Sequence, residues 1–156
     1  MKIIVVSDVH LGSDKSNKAA FNAFLASLHD DDKLTDLVLM GDIVDMWRRD
    51  ASGVFLENMD TVSILKDLKK RISVHWLAGN HDFHLLKLKN RAPHYGHPFE
   101  FHKTLELVEG DHTYRFSTDT SSSMGTKRST FSRSWRYCAT SCPMPKAYRR
   151  TSCGWT

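Results

Sequence analysis

Cysteine is scarce in this chain. There are three in 156 residues, Cys138, Cys142 and Cys153. An odd number, confined to one end, argues against a disulfide framework. Cys138-x-x-x-Cys142 supplies half the ligands of a closed zinc site, and no histidine stands near it, so none is expected there. Long apolar runs are also missing. None approaches the ~18 residues of a membrane helix. Met1-Lys2 leads straight into a short apolar stretch that ends at Asp8, with no small-residue cleavage site. A soluble, cytoplasmic chain is expected. Two further absences mark a position rather than a class: no histidine follows His112, and no Leu, Ile or Val follows Phe116.

The second of these divides the chain. Residues 1–116 carry 15 Lys/Arg against 17 Asp/Glu, a balance of −2, whereas residues 117–156 carry 7 against Asp119 alone, a balance of +6. The net charge of +4 therefore belongs to the end of the chain and says nothing of nucleic-acid binding by the rest. Residues 117–156 hold 16 Ser/Thr and all three cysteines. No helical or strand period runs through them, and so few aliphatics cannot offset the entropy of ordering. Three readings compete for this tail: a disordered basic segment, a nucleic-acid-binding arm with Trp135, Tyr137, Tyr148 and Trp155 among its arginines, and an out-of-frame translation. The change falls at one point in mid-strand rather than through a linker, which favours the last.

Residues 1–116 have the length and patterning of one domain. Residues 2–7 read as a β-branched strand buried on both faces. Ala20, Phe21, Phe24, Leu25 and Leu28 fall at helical spacing, with Ser16 as N-cap. The run Asp30-Asp31-Asp32 reads as a solvated turn. Residues 34–40 form a second strand. Residues 54–70 read as one helix, with Val54, Met59, Val62, Leu65 and Leu68 on its apolar face and Lys66, Lys69, Lys70 and Arg71 at the end that suits the dipole. Residues 73–78 form a third strand and residues 83–88 begin a short helix. Residues 91–98, with Pro93, Gly96 and Pro98, are loop. Residues 101–108 alternate as a strand, and Glu109-Gly110-Asp111 turns into a last strand over residues 113–116. Alternating strands and helices followed by a hairpin predict an α/β fold built on a mixed sheet.

Each of the first three strands ends in a polar cluster: Ser7-Asp8-Val9-His10, Gly41-Asp42-Ile43-Val44-Asp45 and Gly79-Asn80-His81-Asp82. Sites in open α/β sheets form outside the carboxyl ends of strands, so three loops are expected to converge with oxygen and imidazole ligands for a metal. Asp8 and His10 alternate, so the chain must bend at Val9 for both to reach one ion. Gly41 lets the backbone approach closely beside Asp42, whose two carboxylate oxygens can bridge two cations. Asn80 adds a neutral amide oxygen. His81 is placed to meet a substrate, with Asp82 to orient its ring. Any one of these clusters alone is an ordinary turn. The three in order, each closing an apolar run, are a motif set in its proper context.

Together these three motifs resemble the calcineurin-like metallophosphoesterase family. Their spacing, with Trp47 just after the second, looks most like the branch containing UDP-diacylglucosamine pyrophosphatases. The resemblance covers residues 1–116. It implies a four-layer α/β/β/α sandwich and a site for two divalent metal ions, manganese foremost, with iron, zinc, nickel or magnesium as alternatives. By that pattern Asp8 and His10 hold the first ion, Asp42 bridges both and Asn80 holds the second. His81 sits over the phosphate, steadied by Asp82, and Asp45 stands behind the ligands. The implied reaction is hydrolysis of a phosphomonoester, phosphodiester or pyrophosphate, the substrate being a small phosphate ester or a nucleotide. Trp47, Arg48, Arg49 and Arg91 are candidates to contact it. The family goes on to further histidines, His-Gly and then Gly-His-x-His, which this chain lacks. Gly96-His97-Pro98 is a poor substitute, so impaired catalysis is expected. The rival readings are a non-catalytic metal-binding or scaffold module with the same fold, and a nuclease-like member of the family.

Overall fold

The computed structural model describes residues 1–89 and 99–118. Its elements in chain order are β1 (Ile3–Val6), α1 (Lys18–Ser27), a 3-10 turn at Leu28–Asp30, β2 (Asp36–Met40), α2 (Ala51–Glu57), α3 (Met59–Lys69), β3 (Ser73–Leu77), a 3-10 turn at Phe83–Leu85, α4 (Leu86–Lys89), β4 (Glu100–His102), β5 (Thr104–Glu109) and β6 (His112–Ser117). The loop at residues 91–98 and the tail beyond Thr118 lie outside the described residues.

Strands β1, β2, β3 and β4 form a parallel sheet in that order. Strands β5 and β6 form a separate antiparallel hairpin. The expected mixed sheet is thus two sheets. The split falls at Lys103, inside what reads in sequence as a single strand. Phe101 on one side of it packs with the helices, and Leu105 on the other packs under the hairpin. Alternation along a strand divides the parallel sheet's faces. Leu37, Leu39, Val74, Trp76 and Phe101 meet Phe21, Leu25, Val54, Leu65 and Leu68 of the helices. Ile3, Val5, Val38, Met40 and Leu77 meet Leu105, Leu107, Tyr114 and Phe116 of the hairpin. Helices, parallel sheet and hairpin make three layers. The expected fourth, a helical layer beyond the hairpin, is not among the described residues.

Several local expectations shift, each for a stated reason. Asn17, not Ser16, caps α1, its side chain accepting the Ala20 N–H at 3.0 Å. The long second helix is two. Buried Asn58 breaks it at φ −119°, ψ 23°, its side-chain amide donating to the Val54 carbonyl at 2.6 Å. The break resets the helical phase and turns Met59 outward, 56% exposed, while Val54, Leu65 and Leu68 stay buried. β1 is an edge strand of the described sheet, so Ile3–Val6 are half-buried rather than enclosed. In the acidic run, Asp31 takes Lys2 as an ion-pair partner. His75 lies on the hairpin side of the sheet, its Nε2 3.0 Å from Asp36 Oδ1. No helix among the described residues is long and apolar enough to cross a membrane.

Candidate metal centre

The parallel ladder does not stop where the strands end. The Asp8 N–H donates to the Gly41 carbonyl at 3.1 Å, His10 N–H to Asp42 at 2.9 Å, Leu11 N–H to Ile43 at 2.8 Å, and Asp45 N–H returns to Leu11 at 2.8 Å. Gly41 N–H in turn donates to the Leu77 carbonyl at 2.8 Å. The polar clusters are therefore continuations of three adjacent strands, held in register while their side chains leave the pleat.

They leave it through left-handed backbone. Asp8 (φ 57°), His10 (φ 52°) and Asp42 (φ 54°) are the non-glycine residues with positive φ among those described. The chain does bend around Val9, but at the residues on either side of it. Valine is β-branched and strongly disfavours that region, and Val9 packs against the helical core instead. Each left-handed non-glycine residue is strained, and such strain persists where the surroundings over-determine it, most often at functional sites. Here it falls on three of the expected ligands.

Glycine lets the second and third loops touch. A Cβ built on Gly79 would stand 2.3 Å from Asp42 Oδ1 and 2.6 Å from the Asp42 backbone nitrogen. Gly41, expected to fill that role, is left-handed (φ 73°), and its own Cβ would meet the Gly79 Cα at 3.2 Å. The His81 N–H then donates to Asp42 Oδ1 at 2.9 Å. Asp82 is fully buried beneath this junction and accepts from Gly79 N–H, from Ile43 N–H at 3.1 Å and from the Trp76 indole at 3.4 Å. Burial pushes its carboxyl above the usual range; these donors oppose the rise and the nearby Asp42 charge adds to it.

Asp82 is thus a clamp between loops and does not orient His81. That contact belongs to Asp45, whose Oδ1 lies 2.9 Å from His81 Nδ1. Asp45 is 1% exposed. Burial raises its carboxyl, but the hydrogen bond and charge of His81, then the Arg48 N–H and guanidinium, outweigh that and hold it below the usual range. Its other oxygen, Oδ2, is buried with no hydrogen-bond partner; His10 Nδ1 is 3.9 Å away and Arg48 Nη1 3.7 Å away. The position three residues after Asp42 was the available sequence signal for Asp45, and nothing in spacing alone separates it from Asp82 as the partner of His81.

Two overlapping donor groups result. Asp8, His10 and Asp42 form one, and His10, Asp45 and His81 the other, the ligand atoms of each lying within 4.8 Å of one another. Donors on opposite sides of a transition-metal ion at about 2.1 Å stand roughly 4.2 Å apart, so a small contraction brings either group to bonding distance. The donor set is carboxylate oxygen and imidazole nitrogen, suited to divalent ions, and the buried Asp45 Oδ2, which has no hydrogen-bond partner, is a further oxygen such an ion could satisfy. A divalent cation fits. The His10 and His81 rings meet edge-on at 4.7 Å. Asn80 is half-buried between Gly79 and His81 on the third loop. At the rim, Trp47 is 62% exposed, its ring 6.4 Å from that of His81, and Arg48 is exposed beside it. His84 and His112 are exposed and His102 half-buried in β4, while Arg91, His94 and His97 lie outside the described residues.

Compared with known proteins, residues 1–135 match the family model described as calcineurin-like phosphoesterase. No curated protein matches the chain.

Proposed function

The chain belongs to the calcineurin-like phosphoesterase family, and from that premise we propose that its three-loop centre hydrolyses a phosphate ester or pyrophosphate with a water nucleophile. The family implies metal-dependent phosphoester hydrolysis and divalent ions. The observation that carries the proposal for this chain is the convergence of Asp8, His10, Asp42, Asp45 and His81 on one place, with three left-handed ligand positions. In this reading Asp8, His10, Asp42 and Asn80 would hold the divalent ions, manganese foremost. When bound, such ions polarise phosphoryl oxygens and acidify a water.

The chain's own groups supply the rest. Asp45 fixes the His81 ring by its Nδ1 edge and so leaves Nε2 to protonate the departing ester oxygen as the phosphorus–oxygen bond breaks. The His81 N–H on Asp42 ties that ring's backbone to the Asp42 carboxylate, so ligand and proton donor keep one spacing. Arg48 adds a cation at the rim for the substrate's phosphoryl charge. The substrates that fit this chemistry are small phosphate esters or nucleotides met in the cytoplasm, and the UDP-diacylglucosamine pyrophosphatase-like branch is supported by the spacing of the motifs. Residues 117–156 are read as an atypical tail, disordered or out-of-frame, on the support of their composition, while the family match runs on to residue 135.

Calorimetric manganese titration with bis-p-nitrophenyl phosphate turnover tests the reading. Manganese binding that Asp42→Asn abolishes is expected, with turnover weak even at millimolar manganese because His112 is the last histidine. Absence of a manganese site would sink it. A second reading, a metal-binding module without catalysis, rests on that same lack of later histidines and predicts manganese binding with no turnover at all.

A further inference from the structure

The rim of the centre presents one large aromatic ring to solvent. Of the two described tryptophans, Trp76 is 2% exposed and Trp47 is 62% exposed. The Trp47 and His81 rings are 6.4 Å apart at 50°, so the imidazole does not cover the indole face. The segment that carries Trp47 is pinned on both sides. Before it, Met46 packs into the helical core and Asp45 is held beneath His81. After it, Arg48 N–H reaches Asp45 Oδ1 at 3.4 Å, and the Arg49 guanidinium donates to the Glu57 carboxylate and, at 3.1 Å, to the Gly12 carbonyl. A flat apolar face is thus held open beside the ring that faces the phosphoryl group.

The flanks say what it suits. Arg48, Arg49 and Asp50 follow Trp47 directly and are exposed. An alkyl chain laid across Trp47 would take water from the exposed sides of these charged groups and offer them no polar contact in return. A planar ring instead needs only the indole face, prefers offset stacking on it, and leaves its edges in water. We propose that Trp47 determines specificity by stacking the planar aromatic group of a phosphate ester whose phosphoryl end sits at the His10–Asp42–His81 centre. This rests on the phosphoesterase reading above.

The test is binding, not turnover, on the full chain with manganese present. Three phosphonates that cannot be hydrolysed serve as probes: phenyl-, cyclohexyl- and methylphosphonate. Calorimetry and quenching of tryptophan fluorescence read affinity. Phenylphosphonate is expected to bind about tenfold tighter than methylphosphonate and about fivefold tighter than its cyclohexyl counterpart. Trp47→Phe keeps most of the preference, and Trp47→Ala levels the three. Equal binding of the phenyl and cyclohexyl probes, or a phenyl preference that survives Trp47→Ala, overturns the stack and leaves the phosphate site standing. If methylphosphonate itself fails to bind, the phosphate site falls and the stack with it.

Discussion

Replacing Gly79 by alanine adds one methyl group at the tightest point of the molecule. The new Cβ would lie 2.3 Å from Asp42 Oδ1 and 2.6 Å from the Asp42 backbone nitrogen. The carboxylate can swing away only by giving up the His81 N–H at 2.9 Å, a hydrogen bond worth about 1 kcal/mol. The backbone nitrogen has less freedom, because the Asp42 carbonyl accepts from His10 in the extended ladder and Gly79 N–H is held by Asp82. Overpacking of this kind costs about 1–3 kcal/mol, so with the lost hydrogen bond the total is about 2–4 kcal/mol. At a urea m-value of about 1.5 kcal/mol/M, the midpoint falls by about 2 M. Manganese affinity falls with it, since Asp42 has moved. Gly110→Ala is the control: its φ is 58° and a Cβ there meets nothing within 4 Å, so only left-handed strain of about 1–2 kcal/mol applies. A Gly79→Ala chain as stable as Gly110→Ala, with manganese binding intact, would refute the close-approach argument.

Other perturbations separate the parts of the structure. Asp82→Ala strands three donors, Gly79 N–H, Ile43 N–H and the Trp76 indole. It is expected to destabilise by about 3 kcal/mol or more in urea melts, whereas Asp82→Asn, which keeps an acceptor, loses less. Phe116→Ala, at a position 2% exposed between hairpin and sheet, removes about 3 kcal/mol, while Arg115→Ala on the hairpin's outer side stays within about 0.5 kcal/mol of the parent. The carboxyls of Asp31, Asp60, Asp67 and Glu57 are held below their ordinary values first by hydrogen bonds from Lys2, Lys18, Lys70 and Arg49. Their folded values lie below the unfolded ones, so their contribution is present above about pH 4 and is lost as pH falls through the folded values. Stability measured between pH 5 and pH 2 should therefore decline less steeply in Asp60→Asn; an unchanged slope would discount that pair.

The three strand-end clusters were legible because their chemistry and their context are both local. An apolar run followed by Asp, Asn or His reads the same whatever the rest of the chain does. What could not be read was pairing across loops. Asp45 and Asp82 are both acidic, both near a loop end and both plausible partners of His81. Which one touches the ring depends on the side-chain directions set by left-handed Asp42 and by the glycine junction. The hidden helix break is of the same kind. Asn58 sits inside an unbroken apolar period, and α2 ends there with the Asn58 side chain bonded to the Val54 carbonyl and its backbone N–H turned to Phe55. Likewise Leu105 and Leu107 alternate within a run from Phe101 to Val108 that reads as one strand, yet Lys103, a charged residue on the parity of Phe101 and Leu105, passes the chain from one sheet to another, a decision made by packing rather than by propensity.

Because the donors sit on extensions of the β1–β2–β3 ladder, the centre has a place in time as well as in space. Asp8, Asp42 and His81 are far apart along the chain, and the hydrogen bonds that hold them join strands that must already be paired. Contacts of such long sequence separation form slowly, after the loop-closure entropy has been overcome. A cation that needs the assembled centre therefore has nothing to grip in the early, loosely paired chain. Its effect on folding should appear in the unfolding rate, slowed by added metal, and hardly in the rate of folding.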